Sequence, residues 1–353
     1  MRAIRYHGRE DVRLEELPDP TPGPGDVLLR VHANGVCGSD LHEYYHGPFF
    51  TSPRPHPLTG QTLPVVLGHE FGGTVVDVGS DVDDIEPSCL VAVEPIETCG
   101  VCASCRNGHR HLCRSIAFHG YHRDGGGLAE LTCVPRSMVH PVPAGVGRLH
   151  AALVEPLAVA CRAAHRTRAG EGDIVVVHGA GPIGIGALLT FRREGVRVIM
   201  SDPAEMRRRV AASLGAILVV DPTTDDVVAA ARDLTDGLGA AGAVDAAGVG
   251  PAFKAAVAGT RPDGTVVVVA HHHDGPVPLR SNNLIFTEVN VTGSNIYRDE
   301  FDLVLDAIAT GGYPLDEWVT TVPFDRLVTG AFEPLAHQEA LKVVVDVDGT
   351  ATR

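Results

Sequence analysis

The 353-residue sequence has little positive charge, and nearly all of it is arginine. Lys254 and Lys342 are the only lysines, and the longest basic run is Arg207-Arg208-Arg209. With 29 Lys and Arg against 44 Asp and Glu, the formal charge is −15. A chain of this charge repels polyphosphates and anionic lipids, so the composition argues against binding to nucleic acids or membrane surfaces.

Long apolar segments are also missing. The first eight residues lack the apolar stretch of a secretion signal, and no run approaches the roughly 18 apolar residues of a membrane helix. We therefore expect a cytoplasmic protein. Eight cysteines in a reducing compartment are not expected to form disulfides, and four of them lie between Cys99 and Cys113, which favours metal binding.

The chain divides into two patterns. Up to about residue 150 it is rich in Gly and Pro with short apolar stretches, which is typical of an irregular, mostly β domain. Further on, Val/Ile-rich runs alternate with candidate helices, as in a doubly wound parallel sheet of the α/β class that is buried on both faces. The runs are 174–177, 196–200, 217–220, 243–244, 266–269 and 289–291, and the helices are near 183–193, 204–214, 225–234 and 251–259.

After about residue 295 this alternation stops, and we expect the tail to return to the first domain. The sequence therefore predicts a discontinuous catalytic domain (1–154 and 296–353) with an inserted cofactor domain (155–295).

A glycine-rich loop follows the first apolar run. Gly179, Gly181 and Gly184 fit the pattern GxGxxG between a strand and a helix, with Pro182 and Ile183 inside it. In this context the glycines allow a tight turn, close approach of a pyrophosphate and close packing of helix on strand. The loop therefore predicts a dinucleotide site.

An acidic residue follows the second run and bears on the choice of dinucleotide. Asp202 stands 21 positions beyond Gly181, where a carboxylate accepts the ribose hydroxyls and repels a 2′-phosphate, so NAD is favoured over NADP. The alternative is an Asp that caps the next helix. Arg207 is a further candidate for cofactor binding, although an arginine run on a helix is more often a solvated face.

Four cysteines have a spacing that suits zinc. Cys99, Cys102, Cys105 and Cys113 follow C-x2-C-x2-C-x7-C, which lets four thiolates surround one Zn²⁺. An iron–sulfur cluster is the alternative, but the long last gap and the absence of a following proline weigh against it. Four protein ligands leave no open position, so this zinc is predicted to be structural.

Two short motifs contain further metal-binding side chains. Cys37 lies in NGVCGSDLH and His69 lies in LGHEFGG. Together with the cysteine lobe and the glycine loop, these motifs resemble the zinc-dependent medium-chain alcohol and polyol dehydrogenases over essentially the whole chain. The resemblance implies a GroES-like catalytic domain that is interrupted by a Rossmann domain, two zinc ions per chain, NAD, and a homodimer or homotetramer.

The same resemblance implies the ligands of a catalytic zinc. Cys37 and His69 match two of them, and the third comes from a later segment, where this chain has Glu155. Glu70 is the alternative, because some relatives exchange the two glutamates, and we otherwise expect it in or next to the coordination shell. Zinc with an open position acts as a Lewis acid on a substrate hydroxyl.

The resemblance also bears on proton transfer and substrate. Ser39 and His42 match a relay that passes the alcohol proton to solvent.

The segments 42–50 and 56–60 resemble the butanediol dehydrogenases, which implies a secondary alcohol substrate, in particular a vicinal diol such as 2,3-butanediol. Sorbitol or another polyol, and threonine, are the alternatives within the enzymes. Outside them the alternative is a noncatalytic NAD-binding protein. The run His271-His272-His273 is not expected from this branch.

Overall fold

The structure, a computed structural model, describes residues 1–272 and 275–350, so His273 lies outside the described residues. The strands are β1 (Arg2–Gly8), β2 (Asp11–Glu16), β3 (Asp26–Gly35), β4 (Val65–Val66), β5 (Glu70–Val78), β6 (Leu90–Val93), β7 (Ile96–Glu97), β8 (Ala117–Phe118), β9 (Leu131–Pro135), β10 (Val139–Pro141), β11 (Ile174–His178), β12 (Arg197–Ser201), β13 (Leu218–Val220), β14 (Ala240–Asp245), β15 (Thr260–Val268), β16 (Asn290–Gly293), β17 (Val319–Pro323) and β18 (Lys342–Asp346). The helices are α1 (Gly38–His46), α2 (Ala103–Arg106), α3 (Arg148–Ala151), α4 (Val154–Arg166), α5 (Pro182–Arg193), α6 (Glu205–Ser213), α7 (Val227–Asp233), α8 (Gly250–Gly259), α9 (Ser281–Thr287), α10 (Phe301–Ala309) and α11 (Glu333–Ala336).

The chain forms two compact units. The first combines Met1–Glu155, Phe301–Gly311 and Leu315–Arg353, and the second combines Pro156–Glu300 with Gly312–Pro314. Within the described residues, no helix is both long and apolar enough to cross a membrane.

The second unit contains the predicted doubly wound sheet. Its six strands lie in the order β13-β12-β11-β14-β15-β16 and all pairs are parallel. Every residue of β11 is buried, as a strand covered by helices on both faces requires. Ile174, Val176, Ile199 and Val266 belong to its core. The glycine loop connects β11 to α5 at the carboxyl edge of this sheet.

The first unit is mostly β, as predicted. Its largest sheet has the order β10-β6-β5-β3-β18-β17, with β9 also paired to β3. β18, from the tail of the chain, pairs antiparallel with β3, which pairs antiparallel with β5. Gly35 at the end of β3 lies opposite both Glu70 of β5 and Val344 of β18. Three distant parts of the sequence therefore meet at one point of this sheet.

Candidate active site

Cys37 and His69 are placed by the neighbouring ends of β3 and β5. Cys37 is the residue before α1, and its amide donates a hydrogen bond to Asp40 Oδ2 at 2.9 Å, which caps the helix. His69 directly precedes β5 and is 4% exposed. Since β3 and β5 are paired, both side chains come to the same end of the sheet.

The structure brings Cys37, His69 and Glu70 together. One ligand atom from each lies within 4.8 Å of those of the other two. A thiol, an imidazole and a carboxylate form a donor set that zinc accepts, and three protein ligands leave a fourth position for substrate. These residues therefore fit the catalytic zinc that the sequence predicts.

Asp40 lies behind His69 at ion-pair distance. Its Oδ1 is 3.5 Å from His69 Nδ1 and accepts a 2.5 Å hydrogen bond from the Tyr121 hydroxyl. Burial raises the pKa of Asp40, but His69, Tyr121 and the Cys37 amide together lower it below its ordinary value. A carboxylate in this position fixes the orientation of a metal-binding imidazole.

Glu70 has a strong partner of its own. Its Oε2 accepts a hydrogen bond from Lys342 Nζ, and both side chains are 1% exposed. Lys342 also donates to the Val36 carbonyl at 2.9 Å. The Glu70 charge is therefore neutralised inside the protein by one of the chain's two lysines.

Glu155 is buried near the same cluster. Among the described residues it is not part of the group whose donor atoms lie within 4.8 Å of one another, but its pKa responds to His69 and Glu70. Burial, only partly offset by His69 and Lys342, raises this pKa to about 8. A buried carboxyl without a full counter-charge is suited to receive a cation, so Glu155 as the third zinc ligand stays a prediction.

The two predicted relay residues lie on α1. Ser39 and His42 are three positions apart, which places them on one side of the helix. The Ser39 hydroxyl is 3.1 Å from the Tyr121 hydroxyl. His42 stacks on Phe49, with ring centroids 4.9 Å apart and 16° between the ring planes. Burial, followed by the Asp40 charge, raises the pKa of Tyr121 well above its ordinary value, so this hydroxyl stays protonated.

The four-cysteine lobe is assembled as predicted. Cys102 Sγ is 3.5 Å from Cys105 Sγ and 4.0 Å from Cys113 Sγ, and Cys113 Sγ is 3.5 Å from Cys99 Sγ. Four sulfurs at about 2.3 Å from a tetrahedral zinc lie about 3.8 Å apart. All eight cysteines are free thiols, as the sequence predicts. The Cys105 amide, first among several donors, lowers the pKa of Cys102 to about 6, which favours the thiolate.

Cys102→Ser should remove about one zinc per chain and lower the melting temperature by about 5 °C, because the lobe loses a metal crosslink. The measurement is elemental analysis together with a thermal melt. Cys133→Ser, in β9 outside the lobe, is the matched control and should keep both zincs. Full zinc content in Cys102→Ser would contradict the assignment.

The glycine loop has the features of a dinucleotide site. Gly179 has φ +94°, and a Cβ at Gly184 would lie 1.8 Å from the Gly179 carbonyl oxygen. A Cβ at Gly181 would meet nothing within 4 Å, so space is open at the N-terminus of α5, where Pro182 and Ile183 begin the helix. This open space at a helix N-terminus fits a pyrophosphate.

Asp202 follows β12 directly and is 3% exposed. Its Oδ2 accepts from the Ala180 amide and its Oδ1 accepts from the Ala204 amide, both at 2.8 Å. The carboxylate thus connects the glycine loop to the start of α6. Asp202 therefore also has the helix-capping role that the sequence offered as an alternative. Arg207 Nη1 lies 3.7 Å from Asp202 Oδ2, and no residue that the structure describes accepts from its buried Nε.

The interpretation of the arginine run as a solvated face is correct only for Arg209, whose side chain is 75% exposed. Arg207 and Arg208 are 23% and 18% exposed, because they turn towards Asp202 and Asp221.

The histidine run also has a partner in the structure. His272 Nε2 lies 2.8 Å from Asp245 Oδ2 at the carboxyl edge of the sheet. It is therefore a paired side chain rather than a solvated one.

The donor set for an open zinc site, the closed four-cysteine lobe and the dinucleotide loop define a class of protein. They are the parts of a zinc-dependent dehydrogenase that uses a nicotinamide dinucleotide.

Comparison with known proteins gives the family. Residues 23–144 match the alcohol dehydrogenase GroES-like domain, and residues 182–310 match the zinc-binding dehydrogenase model. The chain is 34% identical to a (R,R)-butanediol dehydrogenase of Neisseria gonorrhoeae, over 98% of this chain and 99% of that protein. The crystal structure of 2R,3R-butanediol dehydrogenase from Bacillus subtilis is similar with a TM-score of 0.91 at 34% identity, over 98% and 99% of the two chains.

A zinc-binding dehydrogenase of Sinorhizobium meliloti bound to NADP is also similar, with a TM-score of 0.88 and 32% identity over 98% of each chain. The chain belongs to the zinc-binding alcohol dehydrogenase family. It is an enzyme that oxidises an alcohol with zinc and NAD, as the sequence predicts.

Asp202→Ser should raise kcat/KM with NADP relative to NAD by roughly tenfold, because it removes the carboxylate that repels a 2′-phosphate while Arg207 remains nearby. The measurement is the ratio of the two values with one alcohol. Asp233→Ser, at an exposed position of α7, is the control. An unchanged ratio in Asp202→Ser would contradict the role of this residue.

Sequence reasoning missed Asp40, Tyr121 and Lys342. Asp40 had a local signal, because it stands three residues after Cys37 at a helix start. Tyr121 and Lys342 had no local signal. Tyr121 is 82 positions from Ser39 in the sequence, and Lys342 is 272 positions from Glu70.

Proposed function

We propose that this enzyme interconverts a small vicinal diol of the 2,3-butanediol type and its hydroxyketone, with NAD as the oxidant. The alcohol carbon gives two electrons and a proton to NAD, forming NADH, and the hydroxyl proton leaves to solvent. Zinc, when bound by Cys37, His69 and Glu155 or Glu70, supplies Lewis-acid polarisation of the substrate oxygen. The similarity to named butanediol dehydrogenases and the resemblance of segments 42–50 and 56–60 support a diol substrate.

The observation that carries this proposal is a cluster of uncharged aromatic rings next to the zinc donors. Phe50 stacks on Tyr121 at 5.3 Å, and the Tyr121 ring lies 5.0 Å from that of His69. Aromatic rings beside the zinc donors suit the methyl groups of a short diol. Threonine would need a cation for its carboxylate, and the Lys342 ammonium at this cluster is already paired with Glu70.

The chain's own residues account for the proton. Tyr121 has one hydroxyl hydrogen and donates it to Asp40, and its oxygen lies 3.1 Å from that of Ser39. The Ser39 hydroxyl would accept the alcohol proton while it releases its own hydrogen towards His42, so it stays neutral during the transfer. His42, on the same side of α1, would pass the released proton to solvent.

Domain roles, assembly and location form part of the proposal. We infer that the first unit contains both zincs and that the second binds NAD through Gly179, Gly181, Pro182, Ile183, Gly184, Asp202 and Arg207. We infer a cytoplasmic location as well. A homodimer or homotetramer is supported by exposed Val291 on the sheet's edge strand β16 and by Ile285 and Phe286 in α9, which are 67% and 82% exposed. Light scattering that gave a monomer would contradict the assembly.

The test is NADH formation against the stereoisomers of 2,3-butanediol, sorbitol, threonine and simple secondary alcohols, with and without a zinc chelator. We expect one butanediol stereoisomer to give the highest kcat/KM, and the chelator to abolish the reaction. A higher kcat/KM for sorbitol or threonine would overturn the proposal that the substrate is a diol. No reduction of NAD by the zinc-replete protein with any alcohol would favour the noncatalytic alternative.

A further inference from the structure

Glu43 is a buried carboxylate that neither the zinc site nor the relay uses. It lies on α1, four residues after Ser39, and is 0% exposed. Burying a carboxylate is costly unless hydrogen bonds replace the lost water. A glutamate in such a position therefore needs specific partners.

The chain segment after α1 provides all of them. Glu43 Oε2 accepts from the Phe49 and Phe50 amides at 3.0 and 2.7 Å. Its Oε1 accepts from the Thr51 amide at 3.2 Å and also from the Thr51 hydroxyl. Three consecutive residues are thus fixed around one carboxylate by four hydrogen bonds.

The two phenylalanines held in this way contact the residues of the proton path. Phe49 stacks on His42 with 16° between the ring planes, and Phe50 stacks on Tyr121 with 17° between the planes at 5.3 Å. Tyr121 in turn bonds to Ser39 and Asp40. The carboxylate is therefore connected to His42 through the ring of Phe49, and to Ser39 through the rings of Phe50 and Tyr121.

We propose that Glu43 is a positioning residue for the dehydrogenase reaction. Its hydrogen bonds hold Phe49 and Phe50 in place, and these two rings orient His42 and Tyr121. The inference rests on the proposed function, since it assigns a role in the relay. A carboxylate suits this task because it accepts from several amides at once and so fixes the backbone as well as one side chain.

Glu43→Gln tests this role. The amide retains one acceptor oxygen and turns an NH2 group towards the other donors, so either the Thr51 amide or the Phe49 and Phe50 amides lose their acceptor. We expect kcat for the preferred alcohol to fall by about tenfold through misplacement of the relay, with the KM for NAD and the zinc content unchanged. Glu16→Gln, at an exposed position of β2, is the matched control and should behave as the wild type.

Two further variants show whether Glu43 acts through the rings. Phe49→Ala, at a side chain that is 55% exposed, should give the part of the fall in kcat that acts through His42, and the double variant Glu43→Gln/Phe49→Ala should lose no more than Glu43→Gln alone. Multiplied losses would overturn the proposal. If Glu43→Gln does not fold, Thr51→Val removes one of the four donors and should give a smaller fall in kcat.

A measurement without turnover separates this proposal from the substrate assignment. Phe49 stacked on His42 shifts the ring proton signals of His42 in the NMR spectrum, and both Glu43→Gln and Phe49→Ala should remove that shift. Loss of the shift in Phe49→Ala but not in Glu43→Gln would show that the carboxylate does not seat the ring. Failure of the wild type to oxidise any diol would overturn the proposed substrate while leaving this test decisive.

Discussion

Lys342→Met should lower the free energy of unfolding by about 3–5 kcal/mol, because it leaves the Glu70 carboxylate buried without a counter-charge. Both side chains are 1% exposed, so water cannot replace the missing ammonium group. The Val36 carbonyl loses a hydrogen bond as well. The measurement is chemical unfolding at neutral pH after dialysis against a chelator, which removes any catalytic zinc that could serve as a counter-charge, and unfolding is followed by circular dichroism.

The chain contains its own control for this experiment. Lys254 is the only other lysine and is exposed on α8, so Lys254→Met should change stability by less than about 0.5 kcal/mol. The double variant Lys342→Met/Glu70→Leu removes the stranded charge and should recover part of the loss. Equal unfolding midpoints for the two lysine variants would show that the buried pair adds nothing to stability.

The cofactor unit could be predicted from sequence because its strands are buried on both faces. β11 and β12 are mostly apolar and buried, and each is followed by a helix. The dinucleotide loop is local, so the six adjacent residues from Gly179 to Gly184 contain the signal. By contrast, β3 has register shifts between Leu28 and Leu29 and between Val31 and Ala33, which disturb the alternation that identifies half-buried strands.

The candidate zinc site could be predicted only in part, because some of its residues lie in short motifs whereas others are brought in from distant parts of the sequence. Cys37, His69 and the four-cysteine lobe lie in short motifs. Lys342 reaches Glu70 because β18 pairs with β3, a contact between residues about 300 positions apart. In the sequence, Glu43 has the pattern of a solvent-facing residue on a polar helix. Only the fold shows that its carboxylate is buried and accepts hydrogen bonds from residues 49–51.

Glu155→Gln should lower the zinc affinity of the catalytic site by about 100-fold or more, whereas Glu70→Gln should lower it by less than about tenfold. The reason is that Glu70 already has a counter-ion in Lys342, while Glu155 is buried without one of its own. Zinc per chain after dialysis against a chelator measures the difference, because the closed cysteine lobe retains its metal in both variants. The opposite order would make Glu70 the third ligand.

The pH dependence of zinc binding gives an independent test. Burial raises the pKa of Glu155 to about 8 in the metal-free protein, so its carboxyl carries a proton at pH 7. Zinc needs the carboxylate, and binding must release that proton. Zinc affinity of the wild type should therefore rise between pH 6 and about 8 more steeply than that of Glu155→Gln, by about one proton per zinc. The Cys37 thiol contributes equally to both proteins, so equal slopes would exclude Glu155 from the coordination shell.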